Sequence, residues 1–336
     1  MQVHRDAAQD TRQLSPHVWA SAVVVCGGIA AVFLMVLGRE QWFFLDEFDF
    51  LVDRSARFAD DLLRPHNEHL SILPVLEYRA VFASVGMRVY WPYYAVLVVA
   101  HLVTVGLSAL VMRRSGVSDF VNLPASAALA VQAVGSQNTL WAFQTGFIGS
   151  VAFFLGAVLL ITGTLTHRRQ VLIALLLIGS LACSGVGLSA CTGIALGLLA
   201  RRASRRALAV CLAPPLVAYG FWYVTYGAAA ESPSSGLTAL QTADRAPLFV
   251  VRAAAHSLGG LVTGDRGVGD GLGLILVAGL LVLATVVLAR TGSLGAVPTA
   301  CLGMAWRSSA ARHWSAWGWI PSWRVPGATP TRAPYS

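Results

Sequence analysis

Long apolar runs separated by short polar interruptions set the architecture of this chain. Residues 18–38 are apolar throughout except for Ser21, enough for a first transmembrane helix at ~20 residues per crossing. No small-residue cleavage site ends this run, so it reads as a retained helix with a cytoplasmic N-terminus. A polar stretch over 39–91 follows and reads as a large extracytoplasmic loop. Within it, residues 46–63 and 69–85 have helical spacing. The second, through Leu70, Leu73, Leu76, Val81 and Phe82, is apolar enough to lie along the membrane interface. Residues 92–112 then return to the cytoplasm at Arg113-Arg114, residues 123–134 predict a short helix, and residues 141–166 come back to His167-Arg168-Arg169.

The next apolar run, 171–200, has arginines at both ends. A hairpin broken at Ser184-Gly185-Val186-Gly187 keeps both clusters on the cytoplasmic side. Such a break must be shielded by protein or line a cavity, because its backbone groups find no partners in lipid. It is therefore expected beneath the outer loop. Residues 207–226 cross outward with a kink at Pro214-Pro215, 227–246 form an outer loop, 247–262 a surface-lying or re-entrant helix, and 271–289 cross back to Arg290. The expected fold is all-α: a polytopic transmembrane bundle of about eight spans with juxtamembrane helices in its first loop. Its parts are a cytoplasmic N-terminus (1–17), a transmembrane domain (18–290) and an irregular or disordered tail (291–336). That tail has no acidic residue, five of the ten Trp and five of the fourteen Pro, a mixture that suits a frameshifted or truncated end.

Composition agrees with the pattern. At 336 residues, 56% hydrophobic and 12% charged, with a mean hydropathy of +0.65, the chain has the make-up of an integral membrane protein. There is no Lys, and the net charge of +8 comes from arginines grouped between apolar runs. That is the pattern of topology signals, and it excludes a nucleic-acid surface. The five cysteines lack metal-ligand spacing, and four sit in apolar runs as small hydrophobes, which excludes a disulfide framework.

Candidate chemistry is concentrated in the first loop, which holds nine of the sixteen acidic residues between Glu40 and Glu77. On a helix Asp46, Asp49 and Asp53 share a face and Glu47 points elsewhere. Asp46 also fits a helix N-cap, with Asp49 in the first turn. His66, Asn67, Glu68 and His69 form a second polar corner. Its three-residue His spacing has no third fixed ligand, so a divalent metal is not supported, whereas hydrogen bonding to a sugar or phosphate suits these donors and acceptors. Arg54, Arg57, Arg64, Arg79 and Arg88 suit carboxylate pairing, lipid headgroups or a phosphate clamp. Gln137, Asn138, Trp141 and Gln144 combine polar and aromatic groups at a membrane exit, as carbohydrate stacking or interfacial anchoring requires. Arg252 and His256, one helical turn apart, are a further candidate phosphate contact. No cofactor motif is present.

The order of these parts resembles the GT-C membrane glycosyltransferases, which include protein O-mannosyltransferases and arabinose-type transferases. The resemblance spans roughly residues 18–289, and its motif-level part is Asp46-Glu47 within Phe44-Leu45-Asp46-Glu47-Phe48-Asp49-Phe50. It implies that Asp46 deprotonates an acceptor attacking a polyprenyl-phosphate-linked sugar, that Glu47 positions Asp46 or a neighbouring helix, and that the acceptor is a cell-envelope glycan, lipid or protein. The location it implies is the outer face of a bacterial cytoplasmic membrane. Two other readings stand beside it. A transporter or flippase of a lipid-linked substrate would use ionisable groups deep in the bundle, where His101 is the main one. A catalytically silent truncated protein is the other.

Overall fold

The structure, a computed structural model, describes residues 13–55, 57–132, 136–229, 239–260, 263, 266–292 and 294–311. The first twelve residues, residues 230–238 of the expected outer loop and the tail beyond 311 lie outside them. Helices are α1 (Pro16–Leu37), α2 (Ala59–Leu63), α3 (Ile72–Val85), α4 (Trp91–Arg114), α5 (Asp119–Ala130), α6 (Ser136–Leu140), α7 (Thr145–Ile161), α8 (His167–Cys183), α9 (Val186–Ala200), α10 (Arg205–Thr225), α11 (Ala239–Gly260), α12 (Arg266–Thr291) and α13 (Ala296–Ala311). Asp49–Asp53 forms a π-helical turn and Ala142–Gln144 a 3-10 turn. No strand occurs among the described residues, so the fold is all-α. Five helical segments are long and apolar enough to cross a membrane: Pro16–Leu37, Trp91–Arg114, Ala142–Ile161, Arg205–Thr225 and Val268–Thr291. A count of eight also needs α5, α8 and α9, which are 12, 17 and 15 residues long.

Local chemistry explains the helix limits. Ser15 caps α1 by accepting from the Val18 N–H, and Pro16 occupies its first turn, where no N–H is required. Gly38 ends α1 against the Tyr94 ring, where a Cβ would collide with the ring carbons. Thr166 and Ser204 cap α8 and α10 in the same way as Ser15. Between α8 and α9 the chain turns extended at Ser184, so the apolar run of 171–200 is a hairpin of two helices. Pro214 and Pro215 lie inside α10, which runs unbroken from Arg205 to Thr225. The tail is not irregular throughout. Residues 296–311 form α13, which packs on α9 because Gly193 and Gly197 have no side chain where Ala300 and Ala296 approach.

Two cores follow. One is aliphatic and joins α7, α8, α9 and α13 around Phe154, Val158, Leu177 and Ile194. The other is aromatic and lies under the first loop, built from Phe43, Phe50, Tyr78, Tyr90, Tyr93, Tyr94 and Phe143. Charge separates to the two ends of the bundle. At one end Arg113 donates to Asp119 and to the Leu14 carbonyl, and Arg201 donates to the carbonyls of Ile161 and Gly163. At the other end lies the acidic first loop, to which the end of α10 is tied by a hydrogen bond from the Trp222 indole to the Leu63 carbonyl (2.7 Å).

Candidate functional site

Leu45 takes a left-handed conformation (φ 48°) and turns the chain so that the adjacent Asp46 and Glu47 part company. Glu47 folds inward and is fully buried. Its carboxylate accepts from the Phe44 N–H (2.7 Å), the Tyr78 hydroxyl (2.6 Å) and the Tyr90 hydroxyl (2.9 Å). The Trp141 indole N–H faces the same carboxylate without a hydrogen bond of normal geometry. Burial pushes the Glu47 pKa up, and the two tyrosines and the Phe44 N–H oppose that shift. Tyr90 in turn accepts from the Ala142 N–H (3.0 Å). Glu47 therefore pins the loop to α3, to the start of α4 and to the turn before α7, and it meets no substrate unless the loop opens.

Asp46 turns the other way and keeps 37% of its side chain exposed. The helix expected over 46–63 forms in two short pieces, 47–53 and 59–63, and not as one. The π-turn of Asp49–Asp53 is followed at Arg54 by extended backbone, and the chain bends so that residues 61–65 wrap the Arg54 guanidinium. Buried Arg54 needs acceptors for its five donors. It donates to Asp49 (2.8 Å) and to the carbonyls of Asp61 (3.5 Å), Arg64 (2.5 Å) and Pro65 (2.8 Å), bonds that a continuous helix would have withheld. Asp46 directly precedes the helical residues that begin at Glu47, its side chain makes no capping hydrogen bond among the described residues, and Asp49 lies in the first turn as expected.

His66-Asn67-Glu68-His69 closes as a tight turn. The backbones of His66 and His69 exchange hydrogen bonds of 3.0 and 2.8 Å, with Asn67 and Glu68 at φ 45° and 69°. This is the mirror-image turn that tolerates Asn and that matches the twist of paired strands. It swings the His66 ring onto Phe50 and Phe143 and places Nδ1 2.7 Å from Asp49. The other ring nitrogen, Nε2, lies 3.6 Å from Asp46 and 3.1 Å from the Asn67 amide. Burial favours the neutral ring, but Asp46 and Asp49 outweigh it and raise the His66 pKa. For Asp49, burial alone would raise the pKa; the hydrogen bond from His66 and the charge of Arg54 hold it below the usual value. Arg64 adds a contact to Asp49 (3.4 Å) and keeps nearly half its side chain exposed. The result is an Asp46–His66–Asp49 series in which Asp49 orients the imidazole and Asp46 is the more exposed carboxylate, 37% against 27%. Asp46 is thus a partly exposed carboxylate beside an imidazole that Asp49 fixes at its far nitrogen, which is the arrangement of a positioned base.

The remaining candidates divide. His69 turns away from His66, edge-on to Phe147 and against Gly185 at the break between α8 and α9. Burial lowers its pKa. Glu68 is half-buried in the same turn. Trp141 stacks on Phe143 (5.0 Å) and meets Phe44 edge-on, which brings it to the Glu47 side of the site. Gln144 is half-buried beside it, and Gln137 and Asn138 are exposed on α6. Arg252 and His256 do not join them. They sit on α11, which packs on α12 and α13, and His256 pairs with Asp270 (2.8 Å). Among the described residues, no three His, Cys, Asp or Glu side chains are grouped to hold a metal ion. Tyr78, Tyr90 and Phe143 escape sequence reading because a tyrosine or phenylalanine in an apolar segment carries no signal of its partner.

Next to this cluster lies an apolar cavity of about 220 Å³ between α8 and α10, with Leu63, Leu70, Leu181, Pro215 and Trp222 in its wall. The segment from Leu63 to Leu70 serves both places: its ends line the cavity and its centre carries His66. At the rim, Tyr226 donates to Asp60 (3.0 Å). Compared with protein-family models, curated proteins and solved structures, the chain matches none.

Proposed function

We propose that this chain is a membrane glycosyltransferase that moves a sugar from a polyprenyl-phosphate donor to an acceptor hydroxyl. The single observation that carries the reading is the shared segment, Leu63 to Leu70, which joins a half-exposed acid–base cluster to an apolar cavity. In this reading a lipid chain lies in the cavity and its phosphate-linked sugar reaches Asp46. Asp46 takes the proton of the acceptor hydroxyl, the oxygen bonds to the anomeric carbon, and the bond from that carbon to the phosphate oxygen breaks. The polyprenyl phosphate leaves with its electron pair, and exposed Arg64 offers a fork of donors to its charge. Glu47 positions Asp46, and half-buried Trp141 offers an aromatic ring to a sugar, backed by buried Phe143.

The grouping of Arg113, Arg114, Arg168, Arg169, Arg201, Arg202, Arg205 and Arg206 at helix ends and turns fits a cytoplasmic end by the positive-inside rule. That orientation puts Asp46 on the outer face of a cytoplasmic membrane. Cell-envelope glycans, lipids and proteins are the acceptors available there. The test is transfer from a panel of polyprenyl-phosphate sugars by purified protein. Asp46→Asn is expected to lower transfer by about 10²–10⁴-fold, the contribution of a positioned base, with unchanged recovery from membranes. Full activity of that variant overturns the assignment. A transporter reading has less support in the deep groups, since buried His101 is already bonded to the Ala130 carbonyl (3.1 Å).

A further inference from the structure

Glu77 takes no part in the network around Asp46. It projects from α3, one turn after Pro74, where α3 meets the start of α7 and the end of α8. A Cβ on Gly146 of α7 would lie 3.0 Å from Pro74 and 2.8 Å from the carbonyl oxygen of Cys183, the last residue of α8, so the three elements converge here. The Oε1 of Glu77 is sealed from solvent and has no hydrogen-bond partner among the described residues. Thr145 faces the carboxyl group, and its one hydroxyl hydrogen is shared between Glu77 and the Ala142 carbonyl (2.7 Å), so it cannot satisfy both.

A buried polar atom without a partner calls for an occupant. The groups that Glu77 acts on electrically are Tyr78 on its own helix and Cys183 on α8, both neutral. Burial pushes its pKa up to about 8, and no cationic side chain offsets it. The last carbonyls of a helix also carry partial negative charge and lack partners within the helix. The Glu77 carboxylate, the Thr145 hydroxyl and the Cys183 carbonyl that ends α8 converge at one junction short of positive charge, and such oxygens suit a hard cation. One carboxylate balances a single charge. Interrupted helices in membrane carriers hold sodium ions and protons with the same kinds of group.

We propose that Glu77, Thr145 and the terminal carbonyls of α8 form a binding site for a monovalent cation of the sodium type. As a whole residue Glu77 is only partly buried, which provides an approach for the ion. The break that follows α8 supports His69 through Gly185, so an ion here braces the floor of the His66–His69 turn. This inference is independent of glycosyl transfer.

The experiment uses the purified full-length protein in nanodiscs at pH 9, with sodium chloride replaced stepwise by choline chloride at constant ionic strength. The wild type is expected to melt at a temperature that rises with sodium concentration, and Glu77→Gln at one that does not. Binding of radioactive sodium should saturate at one ion per chain, with an apparent Kd that rises about tenfold per pH unit below 8 as protons compete. Thr145→Val, which keeps shape and removes the oxygen, should weaken binding at least about tenfold and serves if Glu77→Gln does not fold. Equal sodium responses in wild type and Glu77→Gln would overturn the site, as would unchanged sodium affinity in Thr145→Val. A melting temperature that responds to pH but not to sodium would also overturn it and leave Glu77 as a proton site alone.

Discussion

Replacing Arg54 by Met tests whether a single buried guanidinium organises the loop around Asp46. Methionine keeps the unbranched stem and its packing over Phe50, where the guanidinium carbon lies 5.6 Å from the ring centre. It removes the donor to Asp49 and the donors to the Asp61, Arg64 and Pro65 carbonyls. Breaking a buried pair costs about 3–5 kcal/mol, and Asp49 retains His66 (2.7 Å) and Arg64 (3.4 Å) as partners. The carbonyls of Arg64 and Pro65 lose short bonds worth about 1 kcal/mol each. We therefore expect local destabilisation of about 3–4 kcal/mol. Because ~1.4 kcal/mol is a factor of ten, amide hydrogen exchange over residues 49–70 should quicken by about two to three decades. The α7–α9 core should keep its protection, since it shares no bond with Arg54. Adding Asp49→Asn removes the stranded charge, so the double variant should lose less than the sum of the two single ones. Exchange over 49–70 within about threefold of wild type would refute the argument, being below ~0.7 kcal/mol. So would equal acceleration in α7–α9.

Two further outcomes follow from the same cluster. Tyr78→Phe deletes the 2.6 Å bond to buried Glu47 and should cost about 1.5–3 kcal/mol, read as a lower melting temperature in detergent; a shift within error would show that Tyr90 alone holds the carboxylate. The His66–Asp49 pair should make loop stability depend on pH with two limbs of opposite sign. The folded pKa of His66 is raised above 6.5, so its contribution is complete below 6.5 and is lost as pH rises through the raised value. The folded pKa of Asp49 is lowered below 3.8, so its contribution is complete above 3.8 and is lost as pH falls through the lowered value. Melting curves should therefore place the optimum for this pair between 3.8 and 6.5, and His66→Asn should flatten the upper limb; an unchanged upper limb would remove His66 as its source.

The all-α class and the five long apolar helices were legible from the chain because they rest on local composition; the count of eight was not supported, since α5, α8 and α9 are shorter. The hairpin in 171–200 was legible too, since arginines at both ends and the Ser184-Gly185 break left few alternatives. Helix α13 was not, because its Ala, Gly and Pro content has little period of its own and its partner surface on α9 is a hundred residues away in sequence. The helix expected over 46–63 is broken for a related reason: between its two helical pieces the buried needs of Arg54 outweigh helical propensity. Within the acidic loop, composition located nine carboxylates but ranked none of them. Asp46 and Glu47 are neighbours of similar chemistry, and what separates them is the pair of tyrosines, 31 and 43 residues further on, that draws Glu47 inside. Glu77 shows the same limit, for its lack of a partner exists only where α3, α7 and α8 meet. Local patterns record which segments prefer lipid or water, whereas the role of a carboxylate depends on which distant groups fill its remaining hydrogen-bond positions, and tertiary packing alone decides that.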